Sequence, residues 1–183
     1  MDALTLLLGR RSNKKLVAPA PQGEQLDNIL QAALHAPDHG RLTPYRFVII
    51  EQQGQDVLEQ LLKSAVEELN LGEERKKKAE DVSHRAPMII AVIAEINTEV
   101  AKVPGWEQML TAGCATYAIQ LAANAQGFDN VWVSGPWVDG TDLRNALGCA
   151  EHDKIIAFVM LGTAEQKLEK AKTYDLTEYV SYL

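Results

Sequence analysis

Apolar and polar positions repeat along the chain with two different periods, which predict helices and buried strands in irregular order. Apolar residues spaced three and four apart indicate helices over residues 22–35 and 55–69. Continuous apolar runs predict buried strands at 47–50, 88–94, 130–133 and 155–161. Because helices and doubly buried strands share the chain, we expect an α/β or α+β sandwich with one central sheet and helices on both faces.

The longest apolar stretch, residues 106–127, predicts a helix around which the rest of the chain packs. Nearly every turn is apolar, and one thin polar seam repeats every four residues: Gln108, Ala112, Thr116, Gln120 and Asn124. A helix that is apolar almost all round must be buried almost all round. In so short a chain, part of that cover is expected to come from a second subunit. Gly127 can end the helix, since glycine takes the left-handed conformation without strain.

Both ends of the chain carry apolar residues that are expected to be covered. Asp2 can cap a short helix that stops at Gly9. Its spacing turns four leucines inward, namely Leu4, Leu6, Leu7 and Leu8. Residues 179–183, YVSYL, are too apolar to hang free, and we expect them to pair with a sheet edge, for example on a partner subunit.

Composition narrows the class of protein. The chain has 183 residues, of which 46% are hydrophobic and 23% charged, as in an ordinary one-domain globular protein. Its formal net charge of −7 disfavours nucleic-acid binding, which usually shows as a basic patch. Polar residues recur too often within 106–127 for a membrane span. We therefore expect neither a nucleic-acid partner nor a membrane partner.

The N-terminus and the cysteines bear on the compartment. The arginines follow the apolar N-terminal run, which is the wrong order for a secretion signal. Cys114 and Cys149 lie in helical patterns without the spacing of metal ligands, so we expect buried free thiols. A reducing, cytoplasmic location follows from both observations.

Arg10-Arg11-Ser12 is the first of three polar clusters that could carry chemistry. Two guanidinium groups and a hydroxyl suit a phosphate, because arginine presents planar, forked donors to anionic oxygens. The alternative is a solvated helix end, whose cations oppose the helix dipole.

His35 and His39 form the second cluster, four residues apart. Helical spacing of two histidines would suggest a metal site. Pro37 breaks the helix between them, and no third ligand lies nearby in the sequence. We therefore expect no metal, and favour a loop that lines a pocket and offers imidazole hydrogen bonds.

The third cluster is Val131-Trp132-Val133-Ser134-Gly135, at the end of a predicted strand. A tryptophan there can simply belong to the core. It can equally be the wall of a site for a planar ligand, with backbone groups close to that ligand.

Taken in order, these clusters resemble the nitroreductase family of FMN-dependent oxidoreductases, and within it the small YdjA-like NAD(P)H nitroreductases. The resemblance covers nearly the whole chain. It is carried by the motifs Arg10-Arg11-Ser12, Ala36-Pro37-Asp38-His39, Pro44-Tyr45-Arg46-Phe47, Gln126-Gly127-Phe128, Trp132, Ser134-Gly135 and Leu161-Gly162.

The resemblance implies a fold, an assembly and a site. The fold is α+β, a three-layer α/β/α sandwich with a central mixed sheet, in one FMN-binding domain over residues 1–183. The assembly is a homodimer with FMN at the subunit interface, where the long helix is buried. The phosphate and ribityl chain would be held by Arg10, Arg11 and Ser12. The flavin would lie along Val131, Trp132 and Val133 of the same subunit. The partner would contribute His35 and His39.

Two positions depart from the pattern of the small members. Val133 and His35 stand where related chains carry basic residues, so fewer cations would face the flavin and its phosphate. His35 substitutes only partly, because histidine is mostly neutral near pH 7. Arg41, in the same loop as His39, is a candidate to compensate.

The activity implied is that of an FMN-dependent NAD(P)H oxidoreductase. Hydride would pass from NAD(P)H to FMN and then, in a ping-pong sequence, to a nitroaromatic, quinone or similar small-molecule acceptor. No catalytic acid, base or nucleophile is required of the protein. Two alternatives stay open: a flavin-storage or flavin-sensing protein with little reductase activity, and an interaction module that binds no flavin.

Overall fold

Five strands form one sheet in the computed structural model, which describes residues 2–166 and 173–183. The strands are β1 (Leu16–Val17), β2 (Tyr45–Ile50), β3 (Met88–Ala94), β4 (Asp129–Val133) and β5 (Lys154–Ala164). β3 lies between β2 and β5, and β5 also pairs with β1 and β4, in antiparallel ladders throughout. An isolated parallel bridge joins Ser12 to Asn130, and among the described residues it is the one parallel pairing that makes the sheet mixed.

Helices cover both faces of the sheet, which confirms the α+β three-layer sandwich. They are α1 (Ala3–Gly9), α2 (Glu24–Ala33), α3 (Gln53–Glu68), α4 (Glu73–His84), α5 (Gly105–Ala125) and α6 (Thr141–Ala146). Short 3-10 helices occupy Pro136–Asp139 and Leu176–Glu178. α3, α4 and α6 pack on one face through Leu62, Val82 and Leu143. α2 and α5 pack on the other through Ile29 and Ile119.

β3 lies at the centre of the core. Its side chains alternate between the two faces: Ile89 and Ile93 join the α3 side, whereas Ile90 and Val92 join the α5 side. All four are fully buried. The unbroken apolar run is therefore a strand covered on both faces, as the sequence pattern predicts.

α5 is as long as expected, and one chain covers only part of it, so burial almost all round with cover from a second subunit stays a prediction. The helix exposes Trp106 (58%) and Leu110 (61%), and Cys114 is exposed rather than buried. The side that packs on the sheet carries the polar seam. Gln108 donates to the carbonyls of Asn97 and Val103, and Thr116 donates to that of Ala112. These hydrogen bonds allow polar side chains to lie inside.

Within one chain, α1 and the described C-terminal tail leave uncovered the apolar residues that were expected to be covered. Asp2 caps α1 as predicted, accepting from the backbone of Leu4 and Thr5, and the Thr5 hydroxyl lowers the pKa of Asp2. Yet Leu4 and Leu8 are 67% and 72% exposed, so these leucines do not turn inward within the chain. In the described tail, residues 179–183 form no strand and expose Tyr179, Val180, Tyr182 and Leu183.

Two further observations concern helix length and the second cysteine. No helix among the described residues is long and apolar enough to cross a membrane. The second cysteine, Cys149, is half-buried, and burial raises the pKa of its thiol. Its thiol therefore stays neutral at ordinary pH.

Candidate functional site

Arg10-Arg11-Ser12 lies where the chain leaves α1 and joins the sheet. The amide of Arg10 still donates to Leu6 at the helix end, and its backbone is then extended. Ser12 forms the parallel bridge to Asn130, and the amide of Asn13 donates to the Asn130 carbonyl at 2.9 Å. The structure thus brings the first cluster directly beside the start of β4, the strand that carries the third cluster.

Paired amide side chains fix this junction. Gln120 of α5 donates through Nε2 to Oδ1 of Asn130 at 2.8 Å, and Asn130 donates through Nδ2 to the Gln120 carbonyl at 2.9 Å. Asn13 donates to Oδ2 of Asp129 at 2.7 Å. Gln120, Asn130 and Asn13 are all buried. Sequence reasoning noted Gln120 only as part of a seam and missed the two asparagines, although an amide in an apolar strand is itself a signal of a buried partner.

The two arginines of the cluster have different surroundings. Arg11 donates to the carbonyls of Leu8 and Arg10, as a cation at a helix C-terminus often does. The guanidinium of Arg10 lies 5.9 Å from the ring centroid of Tyr117, on α5. Its Nη1 is buried and has no hydrogen-bond partner among the described residues. A buried cationic donor in this state favours an anion, because desolvation without a partner is costly.

A cleft of about 410 Å³ lies beside Arg10, between α1, the end of α5, the start of β4 and the end of β5. Arg10, Arg11, Asn124 and Thr163 contribute to its lining. Nδ2 of Asn124 donates to the carbonyl of Phe128, whereas its Oδ1 is buried and has no hydrogen-bond partner in the described chain. Cationic, amide and hydroxyl side chains thus line the cleft, together with the carboxylate of Asp129, which accepts a hydrogen bond from Asn13.

The third cluster is divided between core and surface. Val131 is buried, and Val133 packs beside it on the α3 side of the sheet. Trp132 points to the opposite face, the face of α5, and is 38% exposed. Beyond the bridge to Ser12, the outer edge of β4 pairs with no other described strand. Trp132 can thus offer its ring to a ligand, whereas the two valines can offer only backbone groups.

The second cluster lies apart from the first within one chain. His35 follows α2 and is exposed, and His39 lies in the loop that leads to β2. Nδ1 of His39 is 2.7 Å from Oε2 of Glu107, in the first turn of α5. Glu107 and Tyr117, the neighbour of Arg10, are separated by roughly 15 Å along the helix at 1.5 Å per residue. One chain therefore does not bring His39 to the cleft beside Arg10.

The described part of the chain contains no cluster of potential metal ligands. In residues 2–166 and 173–183, no three His, Cys, Asp or Glu side chains come together as metal ligands would.

Arg41 is exposed in the loop of His39, with a φ of 55°.

Comparison with known proteins gives the family. The profile of the Nitroreductase family matches residues 7–163. A Haemophilus influenzae protein named "Putative NAD(P)H nitroreductase" is 60% identical over 184 residues, covering 100% of both chains. "Putative NAD(P)H nitroreductase YdjA" of Escherichia coli K12 is 43% identical over 183 residues, again covering 100% of both chains.

Solved structures share the fold at low sequence identity. A nitroreductase-like family protein from Bacillus cereus superposes with a TM-score of 0.85 at 20% identity, covering 100% of this chain and 96% of the other. A nitroreductase with bound FMN from Bacteroides fragilis superposes with a TM-score of 0.75 at 21% identity, covering 100% of both chains. These likenesses establish the nitroreductase fold.

The junction between α5 and β4 yields a stability prediction. Gln120→Leu removes the donor to Oδ1 of Asn130 and leaves that acceptor buried without a partner. We expect the free energy of unfolding to fall by about 1–3 kcal/mol, measured by urea denaturation. Gln126→Leu is the matched control, since the described partners of the Gln126 side chain are carbonyls at or near the surface. It should cost about 0.5 kcal/mol or less. Equal losses in the two variants would contradict the role assigned to the buried pair.

Proposed function

The chain belongs to the nitroreductase family, and we propose that it is an FMN-dependent NAD(P)H oxidoreductase, with one FMN-binding domain over residues 1–183. The observation that carries the proposal is Arg10, which lines the cleft and whose buried Nη1 has no hydrogen-bond partner in the described chain. A phosphate is the group that this donor fits best, because a charged hydrogen bond offsets the desolvation of both ions.

Different residues would bind different parts of FMN. Arg10, Arg11 and Ser12 would bind the phosphate and the ribityl chain, and the exposed ring of Trp132 would lie against the flavin. Backbone groups of Val131 and Val133, on the open edge of β4, would supply hydrogen bonds to it. When bound, FMN would accept a hydride from NAD(P)H and pass the electrons to a nitroaromatic, quinone or similar acceptor in a ping-pong sequence. The protein binds and orients these groups, and we assign no side chain as acid, base or nucleophile.

The site is proposed to be shared between two subunits of a homodimer. α1 and α5 expose a row of large apolar side chains, a feature that marks interaction surfaces. The row consists of Leu4, Leu7, Leu8, Trp106, Met109, Leu110 and Tyr117. Pairing of two chains through this row would cover it. His35 and His39 would then reach the flavin of the partner, which accords with the distance between His39 and Arg10 within one chain.

The function itself is tested by the visible spectrum of the purified protein under anaerobic conditions. We expect a flavin spectrum that is bleached by NADPH or NADH, and the faster donor identifies the physiological co-substrate. A flavin spectrum that neither donor bleaches would favour flavin storage or sensing. Failure to bind FMN even in excess would refute the proposed function.

Arg10→Ala should weaken FMN binding about 10- to 150-fold, the equivalent of one charge-assisted hydrogen bond worth about 1.5–3 kcal/mol. Quenching of flavin fluorescence on titration gives the dissociation constant. Lys78→Ala removes the same charge from the exposed side of α4 and should leave the constant unchanged. Arg10→Lys keeps the charge but loses the planar fork, so an intermediate constant is expected. If Arg10→Ala binds FMN as tightly as Lys78→Ala does, the phosphate assignment is wrong.

A heterodimer separates a shared site from a site within one chain. Arg10→Ala and His39→Ala chains, co-expressed with different affinity tags, are purified as the mixed pair. With shared sites, one site of the pair carries both changes and the other carries neither. We then expect about half the wild-type FMN content with wild-type affinity. If each site lay within one chain, both sites of the pair would be defective and no high-affinity site would return.

A further inference from the structure

Glu107 contacts His39, one of the residues predicted to contact the flavin. We propose that Glu107 is a positioning residue, which holds the imidazole of His39 so that Nε2 is presented to the flavin of the partner subunit. This inference rests on the proposed function, since it presupposes that His39 contacts FMN.

The contact between the two side chains is direct. Nδ1 of His39 lies 2.7 Å from Oε2 of Glu107, and Glu107 is the more enclosed partner, with 29% of its side chain exposed against 61% for His39. A carboxylate can only accept a hydrogen bond, so Nδ1 must carry the proton. Nε2 makes no hydrogen bond in the described chain and remains for a ligand. The contact thus selects both the tautomer and the direction of the ring.

The backbone on the histidine side is held in place. Oδ2 of Asp38 accepts from the amide of Thr43 at 2.7 Å, closing the loop that carries His39. Arg41 and Thr43 have φ values of 55° and 47°, which are uncommon for residues with a side chain. Gly40, with a φ of 83°, packs so closely that a Cβ would lie 3.3 Å from Cγ2 of Val103. Such strain persists only where the surroundings enforce it, and it is frequent at ligand sites.

The backbone on the glutamate side is held by the neighbouring residue. Oε1 of Gln108 accepts from the amide of Asn97, and its Nε2 donates to the carbonyls of Asn97 and Val103. The loop against which Gly40 packs is therefore tied to the first turn of α5. Glu107 lies in the same turn, where the helix dipole favours a negative charge. Both halves of the contact consequently stand on fixed backbone.

Glu107 also lies beside the surface proposed to meet the partner. Trp106 and Leu110, its neighbours on α5, are among the most exposed apolar residues of the helix. Glu107 of the same chain would therefore orient the His39 imidazole towards the FMN bound by the partner subunit. Because His39 lies apart from the cleft of its own chain, no group of that cleft can orient its imidazole, and Glu107 takes this role.

A double-mutant cycle on FMN affinity tests the proposal in the full-length protein. We expect Glu107→Ala to weaken FMN binding about two- to five-fold, the range of an exposed polar pair, and to have no further effect when His39 is already alanine. Glu107→Gln keeps an acceptor for Nδ1 and should bind within about two-fold of wild type. Glu99→Ala removes an exposed carboxylate from the preceding loop and serves as the charge control, with unchanged affinity expected.

A spectroscopic readout distinguishes positioning from general weakening of the fold. In nitrogen-15 NMR of the histidine rings, His39 should show a proton on Nδ1 in wild type and in Glu107→Gln. This preference should be lost in Glu107→Ala. An unchanged tautomer in Glu107→Ala, or additive effects of the two alanine substitutions, would overturn the proposal while leaving the proposed function intact. Absence of FMN binding by the wild-type protein would instead refute the proposed function.

Discussion

The requirement that buried amides be hydrogen-bonded determines how α5, β4 and the segment after α1 meet. Gln120 and Asn130 satisfy each other across the helix–strand junction, and Asn13 ties the N-terminal segment to the same strand. All three side chains are buried, so loss of a partner would leave a polar group unsatisfied, and the junction tolerates little displacement. The position of Arg10 beside the cleft, and the course of β4 beneath Trp132, both depend on this small polar contact inside an apolar core.

Sequence patterns predicted the fold where burial is complete within one chain. β3 is apolar at every position because helices cover both of its faces, and period and composition alone identify such a strand. The orientation of α5 could not be predicted in this way. Several of its largest apolar side chains are exposed while its polar seam lies inside, because side chains such as Gln108 find backbone partners in the loop before the helix. Local periodicity cannot reveal partners that only the tertiary fold brings near.

The sequence predicted which residue types form the candidate site, but not how these residues are arranged or which contacts they make. Arginine, serine and histidine are recognisable as ligand groups from their chemistry, and the order of the motifs indicates the family. The sequence could not show that the guanidinium of Arg10 lies over the ring of Tyr117, whereas Arg11 donates to the carbonyl of Leu8. Nor could it show that His39 is anchored by Glu107, since 68 positions separate them in the chain.

The distance between Arg10 and His39 along α5 has a thermodynamic consequence. If one FMN is held by both subunits, cofactor binding and subunit association are linked equilibria, and each strengthens the other by the same factor. Dilution of the protein would then promote loss of FMN, and added FMN would oppose dissociation into single chains. A cell that makes little of this protein would keep it poorly loaded, so that reductase capacity would rise more steeply than protein concentration.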